Sequence, residues 1–256
     1  MCRLIVALLL FASIPVSHAV AVSGQGTWES TLQARDFDNN PNTIEGYYDT
    51  VLNITWLADA NYAQTSGYDI DGKMGWVAAD AWASALSINN ITGWRLAATN
   101  PVDGATYNYS VSNVGASDSG YNVSAPGTTY SGSTGSEMAN MFHNTLGNPG
   151  RRDTSGALRA GSAGVNWGLV NTGPFTNLQS SSYWSRTQYA PNTSAAWYFR
   201  TSDGRQLEGL KSPNEMYSWA VHSGDVGTPV PLPAAAWLLL SGLAGLGIIR
   251  RRRTAA

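Results

Sequence analysis

The chain has 256 residues, 43% of them hydrophobic, with 15 Lys+Arg against 17 Asp+Glu, enough for one sizeable buried core. Its one cysteine, Cys2, excludes a disulfide framework and a multi-thiolate metal site. No basic cluster interrupts the stretch between its two ends beyond Arg151-Arg152, which argues against nucleic acid as a partner.

In chain order, Arg3, the apolar run Leu4 to Phe11 and the small residues flanking His18 in Ser17-His18-Ala19 predict a signal peptide over 1–19, cut by signal peptidase after Ala19. A buried core helix is the alternative for so short a run. Alternation in Thr27 to Leu32 predicts a strand, and Tyr47 to Leu57 predicts strand with a tight turn near Asp49. Met74, Val77, Ala78, Ala81, Trp82 and Ala85 fall at spacings of three and four, predicting a helix over 74–86.

Residues 100–135 are rich in Ser, Gly, Tyr and Asn and read as a long surface insertion, as do 151–173. A second helix over 136–146 is predicted from a capping box in Thr134 to Glu137 and a stripe of Met138, Met141, Phe142 and Leu146, with Gly147 able to end it. His143 falls off that stripe and is predicted to face solvent. Strands return at 182–185, 196–199 and 218–221, with Asp203-Gly204 placed for a two-residue hairpin turn. Strands, then helices amid loops, then strands predict an α+β fold with an antiparallel sheet.

The tail runs Val230-Pro231-Leu232-Pro233, then an apolar stretch from Ala234 to Ile249, then Arg250, Arg251, Arg252 and Arg253. Such a stretch makes a helix of about 24 Å, just short of a hydrocarbon core, with the arginines on the cytoplasmic side. An ordinary single-pass anchor fits these residues too. The order of short Pro motif, apolar helix and Arg cluster resembles the PEP-CTERM sorting signal, with Leu232 where the usual motif has Glu. The resemblance implies exosortase processing in a Gram-negative bacterium, a transient membrane anchor, and delivery to the cell surface or exopolysaccharide matrix.

The predicted organisation is signal peptide 1–19, ectodomain 20–228 and sorting segment 229–256. Five of the fifteen basic residues, Arg3 and Arg250 to Arg253, fall outside the ectodomain, whereas all seventeen acidic ones fall inside. That leaves ten basic against seventeen acidic, a net charge of −7, which disfavours polyanionic partners. Nine tryptophans supply its apolar area.

Leu52 to Tyr62, Trp76 to Trp82, Gly93-Trp94-Arg95-Leu96, Ser136-Glu137-Met138, Tyr183-Trp184-Ser185 and Tyr217 to Asp225 together resemble the Lcl C-terminal domain family. Ala97-Ala98 stand where that family's core motif has a proline. The resemblance implies a compact C-type-lectin-like α+β domain with loop-presented binding surfaces, and it brings no catalytic set.

The sequence has no Gly-x-Ser-x-Gly elbow, phosphate loop or His-Glu-x-x-His, so a non-enzymatic reading leads. A surface hydrolase using carboxylates that spacing does not identify is the alternative. Tyr107, Tyr109, Tyr121 and Tyr130, set in a polar loop, are the candidate ligand-binding residues for an extracellular polysaccharide or surface protein, since aromatic rings stack on sugar faces. Covering the domain's own core explains the same tyrosines and is the preferred reading. Asp69 and Asp71 before Gly72 are the candidate calcium ligands, and Asp36 to Asn40 form another oxygen-rich loop. An Asx-type turn explains the same aspartates and is the preferred reading, leaving no required cofactor.

Overall fold

The computed structural model describes residues 20–230. The predicted signal peptide with Ala19, and Pro231, Leu232, Pro233 and Arg250 to Arg253, lie outside the described residues. Among the described residues, no helix is long and apolar enough to cross a membrane.

Two sheets carry the fold. The first is built from β1 (Leu32–Asp36), β2 (Gly46–Asp49), β3 (Ile54–Leu57), β5 (Trp94–Leu96), β12 (Ala220–Ser223) and β13 (Thr228–Pro229), in the order β13-β1-β2-β3-β12-β5. The second contains β4 (Lys73–Met74), β6 (Val111–Ser112), β7 (Ser119–Tyr121), β8 (Ser182–Gln188), β9 (Ala195–Arg200), β10 (Arg205–Leu210) and β11 (Met216–Tyr217), in the order β4-β11-β8-β9-β10-β7-β6. Pairing is antiparallel except for β11 on β8 and β6 on β7. With helices α1 (Trp28–Thr31), α2 (Tyr62–Thr65), α3 (Trp76–Ala85) and α4 (Glu137–Asn140), the architecture is mixed α+β and mostly sheet.

The β2–β3 hairpin forms where the sequence places it. Asp49 Oδ1 accepts from Val51 N and Leu52 N at 2.9 and 3.1 Å, and Asn53 takes a left-handed φ of 53°, which Asn tolerates better than most residues. The β9–β10 hairpin differs from expectation, because its loop spans the four residues 201–204 and only Gly204, at φ 72°, takes the left-handed conformation there.

Thr27 to Leu32 was expected as strand, but Trp28–Thr31 is a helical turn. Trp28 and Leu32 both pack on the core and stand four apart, so they fit the helical period as well as alternation.

The first long helix is α3, starting two residues later than expected because Met74 pairs in β4 with Met216. Its buried face is Ala79, Trp82 and Ala83, while Val77 is 68% exposed. A run of alanines has too little apolar area to fix a face, so Trp82 sets it.

The second helix is α4 continued by a π-helical turn, Met141–Thr145, in which Leu146 N reaches Met141 O at 2.8 Å. Met138, Met141, Phe142 and Leu146 are buried as the spacing predicts, and Gly147 follows at φ 66°. The capping differs: Ser136 Oγ accepts from Ala139 N at 3.3 Å, and Glu137 turns away to Arg95. His143 is buried, not solvated, at 4% exposure.

The 100–135 segment is not a surface insertion throughout. It supplies β6 and β7, and every residue from Ser117 to Ala125 is buried.

Both sheets share one aromatic core. Trp56 and Trp219 have ring centroids 4.5 Å apart, Phe175 meets Trp219 edge-on at 4.7 Å, and Tyr183 of β8 lies 6.2 Å from Trp219. Trp219 Nε1 donates to Leu57 O at 2.9 Å and Trp184 Nε1 to Met74 O at 2.8 Å, so these indoles bury area without losing their hydrogen bond.

Candidate functional site

The structure separates the four candidate tyrosines. Tyr107 and Tyr109 lie on the loop before β6 and meet Trp197 of β9. Tyr107 is 6.0 Å from Trp197 at 20°, Tyr109 is 6.1 Å away at 14°, and the two tyrosines are 5.6 Å apart at 20°. Tyr189 stands edge-on to this stack, 5.2 Å from Tyr109 and 5.1 Å from Trp197. Trp197 is fully covered, so it is the floor, and the three half-exposed tyrosines form the surface.

The loop is held by its polar groups. Asp118 Oδ1 accepts from Val102 N and its Oδ2 from Asn108 N, both at 2.7 Å. Tyr107 Oη donates to Thr99 O at 2.7 Å, and burial pushes that hydroxyl up. Tyr189 is also pushed up, by partial burial and then by Glu208 and Tyr109. Both therefore stay protonated at neutral pH, and among the described residues the hydroxyls of Tyr109 and Tyr189 find no hydrogen-bond partner.

Tyr121 and Tyr130 are elsewhere. Tyr121 is buried, donates to Asp203 Oδ2 at 3.2 Å, and carries Arg205 over its ring at 5.3 Å. Tyr130 packs on the core beside a shallow pocket with Pro101 and Asp103. Sequence reasoning missed Tyr189, in the turn after β8, and Trp197 of β9, both distant in sequence from 107–109. An aromatic in the polar run Tyr189 to Ser194 was the one available signal.

Asp69 and Asp71 act as turn residues here. Asp69 Oδ1 accepts from Asp71 N and Gly72 N at 3.1 and 2.8 Å, and Asp71 pairs with Lys73 Nζ at 3.0 Å. Backbone and Lys73 donors hold the Asp71 carboxyl below its ordinary value.

Three other carboxylates, Asp36, Asp38 and Glu45, offer oxygens within 4.8 Å of one another. Local donors occupy part of each: Asp38 N, Asn40 N and Phe37 N bond to Asp36, Asp38 and Glu45 at 3.0, 2.8 and 2.8 Å. Glu45 also lines a cleft of about 590 Å³ together with Tyr47, Asp59 and Tyr62.

His143 sits inside the core rather than at a surface site. Its Nδ1 lies 3.1 Å from Asn148 O, and burial lowers its pKa to about 4, so it is neutral at pH 7 and wedged against Phe142 and Phe199.

No family model, curated protein or solved structure matches this chain.

Proposed function

We propose that residues 20–228 form a non-enzymatic surface or matrix module that binds neutral polysaccharide through Tyr107, Tyr109 and Tyr189. The observation that carries this reading is the stack of two tyrosines on Trp197 with a third ring as its wall. Ring faces take the apolar face of a pyranose, and the free hydroxyls supply hydrogen bonds around it. An acidic ectodomain adds the exclusion of sulfated or phosphorylated chains. The Lcl-like, C-type-lectin-like assignment belongs to this proposal. Its support is that Trp56, Trp82, Trp94, Leu96, Trp184 and Trp219 of the matching segments are all core residues. Exosortase sorting to the surface, with signal peptidase cleavage after Ala19, is proposed on the two end motifs alone.

Affinity electrophoresis of the full chain in gels cast with polysaccharide tests the reading. Neutral glucans should retard the chain, dextran sulfate should not, and Tyr109→Ala should weaken retardation by about three- to tenfold. Unchanged retardation of Tyr109→Ala would remove the platform from the account. A hydrolase reading has one favouring observation, the placement of Glu45 and Asp59 in the same cleft. It requires that oligosaccharides shorten on incubation.

A further inference from the structure

We propose that the cleft beneath β2 and β3 binds the protonated amino group of an unacetylated amino sugar within an extracellular polysaccharide. The inference rests on the polysaccharide reading but on a different site from the tyrosine platform. At about 590 Å³ the cavity suits one or two sugar rings and is far larger than a bare ion needs. Its lining joins Tyr47 and Tyr62 with Glu45 and Asp59 and contains no Lys or Arg.

The charge is one-sided. Asp36 and Asp38 adjoin Glu45, with oxygens of all three within 4.8 Å. The neighbouring cation, Arg35, is already committed to Asp225, at 2.5 and 2.8 Å from its two oxygens. A cleft walled by one sign of charge focuses its field on the opposite sign.

The acceptors are only partly used. Glu45 spends Oε2 on Phe37 N and keeps Oε1. Asp59 accepts Asn61 N at 2.8 Å and Asn177 Nδ2 at 3.0 Å, one bond for each oxygen, and a carboxylate has about four acceptor sites. Tyr47 is braced edge-on against Phe175 at 5.3 Å. Burial raises its pKa, so its hydroxyl stays protonated, and its ring offers a face to an ammonium or a sugar.

The test is calorimetric titration of the full chain, kept soluble in mild detergent, with the hexamer of β-1,4-glucosamine, its fully N-acetylated form and cellohexaose. The glucosamine hexamer should bind about tenfold more tightly than either other hexamer, and Glu45→Gln or Asp59→Asn should erase most of that margin. Only the glucosamine hexamer should weaken steeply as salt rises from low to physiological strength, a readout that needs no variant. Equal affinity for all three hexamers overturns the inference, as does a margin that survives both substitutions, disappears on chelation with EDTA, or ends in shortened oligomers. Cellohexaose binding that depends on Tyr109, without any glucosamine preference, overturns this inference and leaves the platform intact. Absence of binding by every hexamer overturns both.

Discussion

At the scale of single residues, burial decides what each polar group does. His143 illustrates this with a sign that can be checked. Its folded pKa of about 4 lies below the unfolded value of about 6.5, so the folded state favours the neutral ring. Its stabilising contribution is complete above pH 6.5 and is lost as pH falls toward 4, amounting to on the order of 3 kcal/mol. Urea midpoints measured across that window should fall for the wild-type chain and fall less steeply for His143→Gln. Equal slopes would assign the acid lability to other groups. Tyr121 and Tyr109 make a second contrast. Tyr121→Ala should cost about 3–5 kcal/mol, as for a large buried aromatic, and spare binding in whatever fraction remains folded, whereas Tyr109→Ala should do the reverse. Thermal melts run beside the binding assay separate the two.

At the scale of elements, one ion pair and one asparagine hold the helix in place. Arg95 of β5 meets Glu137 of α4 through two contacts of 2.7 Å, and the same carboxylate accepts Ala98 N at 2.6 Å. Glu137→Ala removes the carboxylate from a guanidinium whose side chain is only 14% exposed, so it should cost about 2–4 kcal/mol, read as a lower urea midpoint. A change below about 1 kcal/mol would mean that the pair behaves as a surface bridge. Asn171 clamps the other end, donating to Leu146 O at 2.8 Å and accepting from Val22 N and Gly173 N at 2.8 and 2.9 Å.

Elements with strong local signals were legible in the sequence. The β2–β3 hairpin carries Asp49 and Asn53, the buried face of the second helix carries four large apolar residues, and Gly147 ends it. Others were not legible, because their determinants lie far away in the chain. Glu137 looks like a capping residue until Arg95 is placed beside it, and Asn171 looks like loop composition until Leu146 arrives. Trp197 reads as core, and is buried, but nothing local says that Tyr107 and Tyr109 cover it.

At the scale of the whole molecule, the two sheets share a core and should unfold together. Arg186 N of β8 donates to Ala97 O, next to β5, at 2.9 Å, tying the two sheets, and Trp76 Nε1 of α3 donates to Ser185 O of β8 at 2.7 Å. Far- and near-ultraviolet circular dichroism should therefore report one coincident thermal transition, and two separated transitions would mean that the sheets are independent units. The acidic stretch 20–228 and the uncharged tyrosine platform together underlie the proposed role, a surface module that holds neutral polysaccharide without cleaving it. The most direct measurement is tryptophan fluorescence of the full chain titrated with cellohexaose, with the recovered sugar then sized by mass spectrometry. A saturable change from the indole beneath the platform, absent in Tyr109→Ala, and a hexamer recovered intact are expected. A flat titration, or recovery of shorter sugars, would contradict the proposed role.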